Sequence, residues 1–281
     1  MRSERASYTL AYSPCPNDTY IFAALTNGML PSTPEVAVHL ADIDELNRCA
    51  AQGRFELTKV SYGAIPYLMD RYRILRAGGA LGRGCGPLVV TRDGFADSLR
   101  GLDGKLVAIP GENTTAFMLL QLALGTRPQT VPMRFDRIVQ AVAGGEVDAG
   151  LIVHESRFTY SNAGLVKLLD LGDWWESVSG MPIPLGAVLV KSTIGDSGAD
   201  EINDAIRRSL AFSRANEPSI MPYVREHAYE MDDDVMRAHI ALYVNEFSDD
   251  LGAAGIAAVH ELFARARAAG ILEKSAEAIF I

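Results

Sequence analysis

No stretch of the 281 residues approaches the roughly 20 consecutive apolar residues that a membrane-spanning helix needs, so membrane insertion is not expected. Positive charge is short as well. Lysine and arginine number 26 against 35 aspartates and glutamates, giving a formal net charge of -9 and a pI near 5.1. Binding to nucleic acid needs clustered basic side chains against the phosphates, so that partner class is not expected. A small anionic ligand is still open, because a local pocket can oppose the field of the whole protein.

Cysteine is scarce. Cys15, Cys49 and Cys85 are an odd number without CxxC or zinc spacing, which speaks for a reducing compartment and against a disulfide framework. Each reads as a small buried apolar residue. The N-terminal MRSERASYTLAYSPC lacks the apolar core of about 7–15 residues found in secretory signals, since Tyr8 to Tyr12 is too short and contains Thr9. The expectation is a cytoplasmic chain. Nucleotide and nucleophile motifs are missing too: there is no GxxxxGK[ST], no GxSxG and no GxGxxG, and GRGCG (Gly82 to Gly86) has the wrong spacing and precedes a strand. HESRF lacks the second histidine of HExxH. Neither a cofactor nor a metal is expected.

What is present is ordinary globular composition, 48% hydrophobic and 22% charged, with a mean hydropathy of +0.08 and room for one large or two small domains. Through the first two thirds, short β-like runs alternate with helical ones, the pattern of an α/β fold with mostly parallel sheets. Expected strands are Tyr8 to Tyr12, Val36 to Leu40, Leu57 to Val60, Gly86 to Thr91, Leu106 to Ile109, Val131 to Arg134, Ala149 to Val153, Leu165 to Asp170 and Gly186 to Lys191. After Ser192 the periodicity is helical only, over Glu201 to Ala215, Glu217 to Glu230, Asp233 to Phe247 and Ala253 to Ala269. CGPLVVTR and PLGAVLVKS flank a βαβα block and read as crossover strands. They divide the chain into lobe 1 (1–91 and 192–281) and an inserted lobe 2 (92–191). Two α/β lobes with a cleft between them would resemble a type II periplasmic-binding-protein fold with a helical C-terminal segment.

Ligands of open α/β sheets bind beyond the carboxyl ends of the strands, and four such loops are unusually polar: SPCPND, TKVSYG, PGENTTA and VHESRF. In the first, Asn17 or Asp18 can cap the following helix, while Pro14 and Pro16 fix the loop so that Ser13 and Asn17 can also meet a ligand. In the second, Lys59, Ser61 and Tyr62 stand at a strand end, with Ser61 either capping a helix over Ile65 to Met69 or touching ligand. In the third, an N-cap at Asn113 or Thr114 starts a helix that ends at Gly125. Its free N–H groups, with the hydroxyls of Thr114 and Thr115, suit a carboxylate. The fourth supplies His154 directly after an apolar strand, where a neutral imidazole can act as a general base. His227, His239 and His260 read as surface or packing residues on helices. DWWE (Asp173 to Glu176) reads as a lid or lobe contact with exposed aromatics.

Taken together, SPCPNDTYIF, LTKVSYGA, PGENTTA and VHESRFTY resemble, in order, the recurring blocks of the 1,4-dihydroxy-6-naphthoate synthases of the futalosine route to menaquinone, with Tyr20 where phenylalanine is commoner. The resemblance spans Ser13 to Tyr160. It implies a cofactor-independent lyase acting on a small carboxylate, cyclic dehypoxanthine futalosine, and releasing 1,4-dihydroxy-6-naphthoate and dihydroxyacetone. It also implies His154 as proton acceptor, with Lys59, Val60, Ser61, Thr114 and Thr115 in contact with substrate. Asn17 is added from the loop itself. Chorismate dehydratase, of the same pathway and fold class, and a non-catalytic solute-binding protein are the alternatives. The first should lack the SPCPND and HESRFTY blocks, and the second should carry an export signal.

Overall fold

Runs of Val, Leu, Ile and Ala pair into two separate sheets in a computed structural model of the chain, which describes residues 7–229, 232–272 and 279–281. The first part of the chain runs β1 (Ser7–Tyr12), α1 (Pro16–Thr26), β2 (Glu35–Leu40), α2 (Ile43–Ala51), β3 (Leu57–Ser61), β4 (Tyr72–Ile74) and β5 (Ala80–Gly82). The middle runs β6 (Leu88–Arg92), β7 (Leu106–Ile109), α3 (Thr115–Leu124), β8 (Gln129–Pro132), α4 (Phe135–Ala143), β9 (Ala149–Ile152), α5 (Ser156–Thr159), β10 (Leu165–Asp170) and α6 (Leu171–Ser179). β11 (Ile183–Lys191) then leads into α7 (Gly195–Ala215), α8 (Glu217–His227), α9 (Asp233–Tyr243), α10 (Glu246–Asp249) and α11 (Gly252–Ala268).

One sheet has the order β2-β1-β3-β11-β4, with β5 also on β11, and the other the order β10-β6-β9-β7-β8. The expectation of mostly parallel sheets is corrected. β1 is parallel to β2 and β3, and β7 to β8 and β9, but β11 runs antiparallel to β3, β4 and β5, and β6 antiparallel to β9 and β10. These two strands enter their sheets from the other layer, without the helical crossover that would make them parallel. Sheet membership puts β6 with the second layer and β11 with the first. The chain therefore passes from one sheet to the other in 83–87 and back in 180–182, at glycines and prolines that can turn without a ladder partner. The first crossing is tight: a Cβ on Gly86 would lie 2.0 Å from the amide nitrogen of Gly172. Arg157 clamps it by donating to the carbonyls of Gly84 and Gly86 and to Asp170.

Local departures have local causes. α1 begins one residue before the expected Asn17 or Asp18 cap, because Pro16 fills its first position with Cys15 as N-cap and no side-chain cap bond. Ser61 does not cap a long helix; Ile65–Tyr67 is a single 3-10 turn, containing Pro66, with Ala64 before it. α8 stops at His227, and the expected end at Glu230 lies outside the described residues. Trp175 of the DWWE segment is fully buried, its Nε1 donating to the carbonyl of Pro182, so α6 packs rather than exposing that aromatic. The largest apolar cluster joins the layers, running from Val60 and Tyr62 through Phe117 and Leu120 of α3 to Leu262 and Phe263 of α11. No helix among the described residues is long and apolar enough to cross a membrane.

Candidate active site

The four polar loops meet at a cavity of about 100 Å³ whose lining includes Ser13, Asn17, Asp18, Lys59, Ser61, Thr114, Thr115 and His154. Strand ends deliver Ser13, Ser61 and His154, while the first turns of α1 and α3 deliver Asn17, Asp18, Thr114 and Thr115. Val60 is the exception among the expected site residues. Side chains alternate along a strand, so with Lys59 and Ser61 at the cavity, Val60 lies in the apolar cluster, fully buried.

Within the cavity wall the polar groups form a chain. Lys59 Nζ pairs with Asp18 Oδ1 at 2.7 Å, with side-chain exposures of 3% and 4%, and also donates to the carbonyl of Gly78 at 2.7 Å. Ser13 Oγ donates to Asp18 Oδ2 at 2.7 Å, and Asn17 Nδ2 to Asp18 Oδ1 at 2.9 Å. The amide oxygen of Asn17 then lies 2.9 Å from Nε2 of His239. Lys59 is thus paired within the wall, its charge facing that of Asp18.

Thr114 is the N-cap of α3, its hydroxyl accepting from the Phe117 amide and donating to the Gly111 carbonyl. Thr115 Oγ1 donates to the carbonyl of Leu185 at 2.7 Å and accepts from the amide of Gly63 at 3.1 Å. Both hydroxyls have protein partners, local ones for Thr114 and, for Thr115, backbone groups of the other layer. The amide N–H groups of Thr115 and Ala116 sit in the first helical turn, where no intrahelical acceptor exists. The hydroxyl of Ser61 is placed by Asn47, whose amide oxygen accepts from the Ser61 amide at 2.9 Å and whose Nδ2 donates to its Oγ at 3.2 Å.

His154 follows β9 in left-handed backbone, φ 58°, a conformation that a non-glycine residue adopts at some cost and that clusters at functional positions. Its Nδ1 is 3.2 Å from Cys15 Sγ, and Phe135 packs edge-on at 4.8 Å between centroids. Burial pushes its pKa down to about 4, with the charge of Asp18 pulling the other way, so the ring is neutral at pH 7. Burial also drives the Cys15 thiol well above its usual range, with Glu155 adding to the effect. Cys15, His154 and Glu155 offer donor atoms within 4.8 Å of one another, although no zinc spacing joins them in sequence.

His239 was expected at the surface or in packing and instead lines the cavity, 1% exposed. Its ring lies nearly parallel to that of His154, at 15° and 6.3 Å, and burial, with His154 second, holds its pKa well below the usual imidazole value. Met236, His239 and Tyr243 form the buried face of α9. That 3- to 4-residue spacing was the available sequence cue. Asn47 had none, because its role depends on the pairing of α2 beside β3.

The family model described as menaquinone biosynthesis matches residues 8–268. A curated 1,4-dihydroxy-6-naphthoate synthase of Thermus thermophilus is 49% identical over 97% of this chain and 98% of the relative. One from Streptomyces coelicolor is 48% identical over 94% of each. Among solved structures, a protein of Archaeoglobus fulgidus superposes with a TM-score of 0.89 at 35% identity, over 96% of this chain and 100% of that one. The alkanesulfonate-binding protein of Xanthomonas axonopodis pv. citri, at 14% identity and a TM-score of 0.75 over 97% and 96%, shares the periplasmic-binding-protein-like fold.

Proposed function

Since the chain belongs to the menaquinone-biosynthesis family and is a lyase of that pathway, we propose that it converts cyclic dehypoxanthine futalosine to 1,4-dihydroxy-6-naphthoate and dihydroxyacetone, with His154 as general base. The observation that carries this reading is the convergence of a neutral imidazole, a helix N-terminus and an internally neutralised polar wall on one cavity between the sheets.

Breaking the bond between ring and sugar carbons needs a proton removed and the resulting carbanion or enolate stabilised, and aromatisation supplies driving force. If the Nδ1–H of His154 donates to Cys15 Sγ, Nε2 keeps its lone pair for the substrate proton. A positioned base contributes about 10²- to 10⁴-fold. The substrate carboxylate is assigned to the amides of Thr115 and Ala116 and the hydroxyl of Ser61, where a helix dipole favours negative charge. Asn17, Lys59, Thr114 and Thr115 shape this site through the bonds they make to one another and to the backbone. Val60 supports the strand from behind. The reaction takes place in the cytoplasm.

Sites for ligands of this size occupy about 300–1,000 Å³, more than the cavity holds as it stands. We therefore assign each sheet to a lobe, with motion about the crossings at 83–87 and 180–182 admitting the substrate and reclosure excluding water.

The test is incubation of the purified protein with cyclic dehypoxanthine futalosine, following naphthoate by absorbance and mass spectrometry beside a His154→Ala variant. Naphthoate from the wild type with a loss of at least about 100-fold in the variant supports both the activity and the base. Tight binding without turnover selects a solute-binding protein, and an equally active variant removes His154 from its role.

A further inference from the structure

We propose that Nδ1 of His239 accepts a hydrogen bond from a hydroxyl on the sugar-derived part of the substrate, making His239 a specificity-determining residue of the lyase; this rests on the substrate assigned above. The tautomer follows from the neighbours. Asp18 offers only acceptors, so Asn17 turns its Nδ2 toward that carboxylate and its amide oxygen toward His239. An amide oxygen also only accepts, so the hydrogen of the neutral ring sits on Nε2. Nδ1 is left as a bare acceptor.

That acceptor is buried and has no hydrogen-bond partner among the described residues, although the ring lines the cavity. Buried polar atoms are almost always paired, and one at a cavity wall points to a ligand that completes it. The partner must be a donor. A carboxylate or ketone cannot serve, because protonating His239 so that it could donate is opposed by its burial. The carboxylate end of the substrate is already assigned to α3, which leaves the hydroxyl-bearing carbons. With the two imidazoles nearly parallel at 6.3 Å, a hydroxyl held at Nδ1 of His239 places those carbons beside the base.

The experiment compares wild type with His239→Gln, whose side-chain amide can still donate to Asn17 but puts no acceptor where Nδ1 stood. Expected is a fall in kcat/KM for cyclic dehypoxanthine futalosine of about 10-fold, weaker inhibition by dihydroxyacetone, and unchanged inhibition by 1,4-dihydroxy-6-naphthoate, which carries no sugar hydroxyl. If both inhibitors weaken together, His239 is structural and the proposal fails; if neither kcat/KM nor dihydroxyacetone inhibition changes, it fails as well. Titration of 15N-histidine-labelled wild type with dihydroxyacetone gives a reading independent of turnover and of the variant's folding. The Nδ1 resonance of His239 should move, and a resonance that stays fixed at saturation overturns the assignment. Wild type that makes no naphthoate while this resonance moves defeats the substrate reading and leaves the hydroxyl contact standing.

Discussion

Cys15 Sγ stands 3.2 Å from Nδ1 of His154, so the N-cap of α1 in one layer touches a residue of the loop after β9 in the other. The thiol is buried, at 1% exposure, and its contact with Nδ1 helps to hold the imidazole in one orientation. Cys15→Ala should lower kcat about 5-fold with little change in KM, the loss of a hydrogen bond worth about 1 kcal/mol. Cys15→Ser should restore most of it. Steady-state kinetics on both variants checks the contrast, and equal losses in the two would assign Cys15 to packing alone.

The depressed pKa of His154 has two expected consequences. As a base, it keeps its lone pair down to about pH 4, so the acid limb of kcat/KM should fall near that pH, well below the ordinary imidazole value near 6.5. For stability, the unfolded chain binds the proton more readily than the folded one between these values. The contribution is therefore fully present above about pH 6.5 and is lost as pH falls toward 4, on the order of 3 kcal/mol. Urea denaturation of wild type and His154→Ala from pH 4 to 7 should show the variant with the flatter profile.

Lys59 and Asp18 form a pair almost without solvent. Lys59→Met strands the carboxylate in the wall and should cost about 3–5 kcal/mol. Adding Asp18→Asn removes the stranded charge and should recover part of that loss. Chemical denaturation of the single and double variants measures the coupling; strictly additive losses would mean that the charges do not sense each other.

Gly63 is the point where the loop after β3 meets the start of α3. A Cβ there would lie 2.8 Å from the carbonyl atoms of Thr114 and 2.9 Å from the amide of Thr115. Gly63→Ala should push the helix start away, break the bond to Thr115 Oγ1 and cost about 1–3 kcal/mol. KM should rise with it, because the displaced amides are those assigned to the carboxylate. A thermal melt and a KM determination on this variant test the two effects separately.

Much of this architecture was legible in sequence because it rests on local patterns. Leu106–Ile109 and Leu165–Asp170 are the expected strands residue for residue, Thr114 is one of the two expected caps of α3, and the left-handed Gly125 stands past its end as expected. Features decided by distant partners were not legible. The strand directions of β6 and β11 depend on where the chain changes layers, and the three-residue strands β4 and β5 exist because β11 is there to pair with them. In the site, a polar loop announced its presence but not its bonding. The hydroxyls of Thr114 and Thr115 and the ammonium of Lys59 all line the cavity, and the protein partners that orient them there could not be read from the loops. His239 was misplaced because the buried face of α9 was read without the loop that covers it.

The contact between Gly86 and Gly172 bears on how this protein can change over generations. A side chain at either position would collide with the backbone of the other, since a Cβ on Gly172 would also lie only 2.6 Å from the amide nitrogen of Gly86. Neither glycine can be replaced first and compensated later by the other, because the clash is with main-chain atoms that every amino acid shares. The route to an altered crossing runs through insertion or deletion in 83–87 instead of substitution, and drift at these two sites is closed off while the crossing keeps this geometry.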